Sequence, residues 1–229
     1  MRIDKFLAQS TGLSRKEVHR LMHAGKITLE GEVIKNTGQH VSEDADILMD
    51  GFPVEAPRDY YLMLYKPEGF VCSNQDGNHP SVLNLVELPR ADELTICGRL
   101  DVDTTGLVLI TSDGKWAHRV TSPKHKTGKR YRVETADPIA PEVVQQFADG
   151  MMLNNEHKPT LPAELEILSE REALVTLQEG RYHQVKRMFA ATGNKVEALH
   201  REQIGPIELD IDLEPGEYRE LTAEEVAAI

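Results

Sequence analysis

Cysteine is scarce in this chain of 229 residues: Cys72 and Cys97 are the only two. Two thiols build neither a disulfide framework nor a four-ligand zinc site, and the expected compartment is a reducing cytoplasm. Tryptophan occurs once, at Trp116. No apolar run approaches the roughly 18 residues of a membrane span. The opening residues Met1-Arg2-Ile3-Asp4-Lys5 offer no apolar core and no small-residue cleavage site, so no secretory signal is expected. There is no internal repeat, no Gly-rich phosphate loop and no Ser-His-Asp elbow. His118, His125, His157, His183 and His200 lack metal-ligand spacing and read as surface or hydrogen-bonding residues, so no metal and no cofactor is expected. What is present is ordinary: 40% apolar and 28% charged residues, enough for a soluble globular chain with one large domain or a mid-sized and a small one.

The formal charge of −12 argues at first sight against a nucleic-acid partner. Binding follows local potential, however, and the basic residues are clustered. Residues 1–29 hold six basic and two acidic residues, residues 115–132 seven and none, and residues 181–201 five and one. Three basic islands in an acidic background suit a polyanion that meets selected faces, while the acidic faces repel it elsewhere.

Residues 1–50 read as a separate module. Ile3, Phe6 and Leu7 have helical spacing, and Ser14 with Glu17 forms a capping box with Leu13 and Val18 as its hydrophobic staple. Val18, Leu21 and Met22 make the buried stripe of a second helix that Gly25 ends. Its other side carries Arg15, Lys16, His19, Arg20 and His23, a basic face. Residues 26–35 predict a hairpin turning at Gly31, and residues 47–54 a second one turning at Asp50-Gly51. These segments resemble an S4 RNA-binding domain, a family that grips structured RNA with its second helix and the following turn. The resemblance implies RNA and no particular chemistry.

Residues 51–59, with two prolines and a glycine, are the expected linker. Strands are predicted over 60–65, 106–110, 130–134, 165–168, 173–178 and 195–200, with helices over 141–147 and 183–191. Many strands and few helices predict an α+β domain over 60–229 with a mainly antiparallel mixed sheet. Trp116 is expected in the core, and Cys97 as a small buried apolar residue.

One run stands out: Gly98-Arg99-Leu100-Asp101-Val102-Asp103-Thr104-Thr105-Gly106, leading into the apolar Leu107-Val108-Leu109-Ile110. A polar turn feeding a buried strand sets acids and hydroxyls at the rim of a rigid scaffold. Asp101 and Asp103 invite a paired-carboxylate hydrolase reading. Alternatively, Asp103 and Thr104 merely satisfy the backbone of the turn.

The same run resembles the catalytic signature of pseudouridine synthases, their RsuA branch in particular. The likeness continues in order through Lys66-Pro67-Glu68-Gly69-Phe70-Val71-Cys72-Ser73, through Lys129-Arg130-Tyr131-Arg132-Val133, and through 179–189 with Arg181, Lys186 and Arg187. Tyr65 departs from it, standing where members often carry Asn. The resemblance implies that Asp101 is the catalytic aspartate, Tyr131 the active-site tyrosine and Lys186 its basic partner, with Arg99 and Leu100 lining the pocket. It implies isomerisation of uridine to pseudouridine in ribosomal RNA, at uridine 516 of 16S RNA for the nearest branch. Members acting on 23S RNA, or a non-catalytic assembly factor, are the alternatives. The implied partner is ribosomal RNA, naked or in an assembly intermediate, met by a cytoplasmic monomer with no membrane contact. Phosphate contacts are expected from Arg15, Lys16 and Arg20, from Lys115, Arg119, Lys124, Lys126, Lys129 and Arg130, and from Arg181 and Arg187.

Overall fold

The computed structural model describes residues 1–122 and 127–229, and it divides into two compact units. One comprises Met1–Asp59 with Glu87–Ala91, the other Tyr60–Val86 with Asp92–Ile229.

The first unit starts with helices α1 (Ile3–Thr11) and α2 (Arg15–His23). The Ser14 side chain accepts from the Glu17 N–H and the Glu17 carboxylate from the Ser14 N–H, so both halves of the capping box form and fix the start of α2. Four short antiparallel strands follow: β1 (Ile27–Leu29), β2 (Glu32–Val33), β3 (Ile47–Met49) and β4 (Phe52–Pro53), in the order β2-β1-β3-β4. Phe52 and Pro53 thus belong to the sheet and not to the linker. Asp50 and Gly51 both have positive φ, 51° and 86°, the signature of a two-residue turn whose twist matches that of its strands. Ile3, Phe6, Leu7, Val18, Met22, Ile27 and Ile47 meet in one core.

The second unit is α+β around a nine-stranded sheet. Its path runs β13 (Tyr218–Glu220), β5 (Tyr61–Lys66), β7 (Thr105–Thr111), β11 (Val196–Ile204), β8 (Lys129–Thr135), β10 (Glu172–Leu177), β9 (Glu164–Ser169). The strands β6 (Thr95–Cys97) and β12 (Ile207–Glu208) pair with β7 and β11 off that path. Every described pairing is antiparallel except β7 with β11. Strand β7 is buried from Gly106 to Thr111, as an apolar run covered on both faces must be. Helix α3 (Gly114–Thr121), capped by Asp113, lays Trp116, Ala117 and Val120 onto Met63, Leu107 and Leu109. The Trp116 indole is fully buried, edge-on to Tyr61, and donates to the Val226 carbonyl of α6 (Ala223–Ala227). Helix α4 (Val143–Asp149) begins two residues later than its proline suggests, because Val144 N–H donates to the Pro141 carbonyl and makes the first turn three-residue. Helix α5 (Gln184–Ala191) buries Val185, Met188 and Phe189.

Candidate active site

The segment 98–104 enters β7 as a loop held from beneath. Lys66, the last residue of β5, is fully buried, and its ammonium donates to the carbonyls of Thr104 (2.7 Å), Pro67 (3.0 Å) and Val102 (3.2 Å). Burial pulls its pKa down, against the pull of the nearby Cys72 and of Asp103 and Asp101. Gly69 N–H donates to the same Val102 carbonyl at 2.8 Å, and the buried Cys72 sulfur accepts from Leu100 N–H at 3.3 Å. Arg201, also buried, donates from Nε to the Leu107 carbonyl and from Nη2 to that of Gly98. Three of the loop's backbone oxygens, those of Gly98, Val102 and Thr104, are therefore taken by two buried cations. Its acids are left to point elsewhere.

They point at the first turn of α5. Asp101 Oδ2 lies 3.2 Å from Lys186 Nζ, and its other oxygen lies 3.2 Å from His183 Nε2. Asp103 Oδ1 takes the same ammonium at 2.6 Å. Burial opposes the charge on Lys186, but its hydrogen bonds to Asp103 and Asp101 outweigh that and raise its pKa. The Lys186 hydrogen bond in turn outweighs burial at Asp103 and lowers its pKa. The Asp101 side chain is 27% exposed, open enough to meet a substrate and close enough to protein for its cations to matter. His183 was read from the sequence only as a surface or hydrogen-bonding residue. The structure makes it a second partner of the carboxylate, held with a φ of 48° where non-glycine residues are strained.

The same Arg201 guanidinium sits 6.0 Å over the ring of Tyr131. Strand β8 alternates, so Tyr131 and Val133 are buried while Arg130 and Arg132 take the opposite face. The site thus combines a loop held by buried cations, an ion-paired aspartate on it and a buried tyrosine under the Arg201 guanidinium. The family model for RNA pseudouridylate synthase matches residues 60–191, and that for the S4 domain matches residues 1–47. The chain belongs to the RNA pseudouridylate synthase family. A ribosomal small subunit pseudouridine synthase A from Vibrio parahaemolyticus serotype O3:K6 (strain RIMD 2210633) is 54% identical, covering 100% of this chain and 99% of its own. The protein of that name from Escherichia coli (strain K12) is 49% identical over 100% of both chains. A crystal structure of a pseudouridylate synthase superposes with a TM-score of 0.73 at 45% identity, covering 100% of this chain and 99% of that one.

The synthase uses many of its remaining basic residues internally. Arg130 pairs with Glu202 (3.5 Å) and Glu208 (3.3 Å). Arg181 bonds Glu179 (3.1 Å) and the Lys158 and Pro159 carbonyls, and Arg187 bonds Glu156 (3.0 Å) and the Asn154 and Tyr182 carbonyls. Lys129 donates to the Thr127 carbonyl and its pKa is lowered by burial, with Arg201 nearby. Arg99 is exposed beside the buried Leu100, and Lys115 is exposed on α3 with Arg119 half-buried. Lys124 and Lys126 lie outside the described residues. Among the described residues no group of three or more His, Cys, Asp or Glu is placed to hold a metal ion. No described helix is long and apolar enough to cross a membrane.

In the S4 unit Lys16 and Arg20 are exposed on α2. Arg15 is half-exposed and shares an anchor with Arg2 and His19: all three bond the buried Asp4 carboxylate, at 2.9, 2.8 and 3.1 Å. Burial works against that charge, yet the three hydrogen bonds prevail and hold the Asp4 pKa well below the usual carboxylate range. One hidden anion thus gathers part of the basic face.

Proposed function

We propose that this synthase isomerises a uridine of small-subunit ribosomal RNA, the substrate named for its 49–54% identical full-length relatives, and that the site corresponds to uridine 516 of 16S RNA. The observation that carries the chemistry is Asp101 held between Lys186 and His183 at the mouth of the loop. Either route to pseudouridine uses that carboxylate as the reacting group.

In the reaction the N1–C1′ bond of uridine breaks, the uracil turns, C5 bonds to C1′, and the proton leaving C5 is balanced by one gained at N1. Asp101 acts either by adding covalently to the nucleotide and being expelled as C5 bonds to C1′, or by removing the C2′ proton to give a glycal-like species and returning it as C5 bonds to C1′. Lys186 donates to the carboxylate and holds it in place before the step. Tyr131 stacks on the extruded uracil, and its hydroxyl, or a water it holds, assists departure of the C5 proton. The uridine reaches Asp101 only by leaving its stack, at a cost of a few kcal/mol that is smallest in loops and bulges. Arg99 lines the pocket with Leu100, and phosphate contacts from Arg15, Lys16, Arg20, Lys115 and Arg119 offset that cost. Arg130, Arg181 and Arg187 have carboxylates of their own and serve instead to shape the site.

The test is the Asp101→Asn variant with pseudouridine mapping of both ribosomal RNAs. We expect turnover to vanish with RNA affinity nearly unchanged, and the wild-type signal to fall on the small-subunit RNA. Turnover that persists in Asp101→Asn would remove Asp101 from its role. A signal confined to the large-subunit RNA would overturn the substrate assignment.

A further inference from the structure

Tyr182 is 77% exposed, an unusual state for so large a ring one residue from the Asp101 partner. Its ring does not hang loose. It stacks on the His183 imidazole with centroids 3.7 Å apart and planes inclined by 22°. His183 in turn touches Asp101. The turn that carries both rings is clamped: Arg187 Nη1 donates to the Tyr182 carbonyl at 3.1 Å, Arg187 N–H to that of His183 at 3.0 Å, and Arg181 N–H to the Gln184 side chain at 2.9 Å. The left-handed backbone at His183 costs strain that these bonds offset. The result is an aromatic ring with its inner face covered and its outer side turned to solvent, fixed before any substrate arrives.

We infer that the Tyr182 ring is a stacking platform for a nucleobase of the substrate RNA, and that this base flanks the target uridine. The inference rests on the reading of Asp101 as the group that meets the extruded uridine. The chain of contacts selects the flanking base: Asp101 meets the imidazole nitrogen, and the imidazole face meets the phenol. A base on the outer face of Tyr182 is separated from Asp101 by the His183 and Tyr182 side chains, too far for its own C1′ to react, whereas the next nucleotide along the strand is within reach of that position. An extruded uridine also leaves its neighbour without a stacking partner, and an immobile aromatic face replaces it. Every base has a π face, so the platform adds affinity without reading sequence.

The test compares Tyr182→Ala and Tyr182→Phe in the full-length chain, with a small-subunit ribosomal RNA transcript as probe. Equilibrium binding and steady-state pseudouridine formation are both measured. The ring is exposed, so both variants should melt with the wild type. Loss of one base–aromatic stack predicts that Tyr182→Ala raises Kd and KM by roughly tenfold, with the loss falling on KM and not on kcat. Tyr182→Phe should rescue most of it, because the face and not the hydroxyl does the stacking. Unchanged Kd and KM in Tyr182→Ala would overturn the inference. So would a Tyr182→Phe defect as deep as that of Tyr182→Ala, or a fall in kcat alone, which would give the ring a structural role toward His183. A wild-type chain that binds the transcript but forms no pseudouridine would defeat the proposed function, while the Kd series would still decide the platform. Absence of wild-type binding would overturn both.

Discussion

The strongest single-residue dependence lies beneath the active loop. Among the described residues Lys66 has no carboxylate in direct contact, and it gives its three protons to three carbonyls. Replacing it by Met keeps the bulk and takes that donor from the Thr104 and Pro67 carbonyls, while Val102 keeps the Gly69 N–H, at a cost of roughly 3 kcal/mol. The melting temperature of Lys66→Met should therefore fall by about 6–12 °C, and turnover should fall with it as the loop carrying Asp101 loosens. A variant that melts with the wild type would show that water replaces the ammonium. This role was not legible in the sequence, where a lysine before a proline marks a strand end and nothing distinguishes a buried ammonium from a solvated one. Asp101 and Lys186, 85 residues apart, were paired by resemblance and are paired in the structure. His183 escaped because its partner is nearly as distant in sequence and its placement comes with a left-handed backbone that no spacing encodes.

Among the elements, the decisive contact is the one parallel pairing described, β7 with β11. At their crossing a Cβ on Gly106, where φ is 110°, would lie 2.7 Å from Arg201 N and closer still to its carbonyl oxygen. Gly106→Ala should cost about 3 kcal/mol or more, from backbone strain and overpacking together. The check is soluble yield and thermal unfolding, and a folded Gly106→Ala chain with a wild-type melt would mean that the strands can part. Most strands were readable from apolar runs and their stops. The two-residue β12 and the three-residue β6 and β13 were not, since so short a segment carries no period. Helix α3 has the signals of one, Asp113 as cap with Trp116, Ala117 and Val120 on a face, but the charge of that window draws the eye first. Strand β8 shows why charge alone misleads: alternation sends Tyr131 inward and leaves Arg130 and Arg132 to neutralise Glu172, Glu202 and Glu208.

For the molecule as a whole the issue is how a chain of charge −12 holds a polyanion. The fold settles it by spending much of its basic charge on internal pairs and exposing a smaller set, of which Lys16 and Arg20 on α2 are the simplest to remove; Arg15 also serves Asp4. In the double variant Lys16→Ala, Arg20→Ala the plot of log affinity against log salt should become shallower by about 1.5, from two phosphate contacts. An unchanged slope would move the RNA off that face. The net charge and its islands were visible in the sequence, but which cations remain free was not, because that depends on carboxylates brought near by the sheet.

The path of the backbone has a consequence for synthesis. Residues 60–86 build the second unit, yet 87–91 return to the first before the chain goes back. The buried core of the amino-terminal unit comes from residues 3–47, so that core can close on the ribosome while β5 still waits for its partners, and 87–91 join it only afterwards.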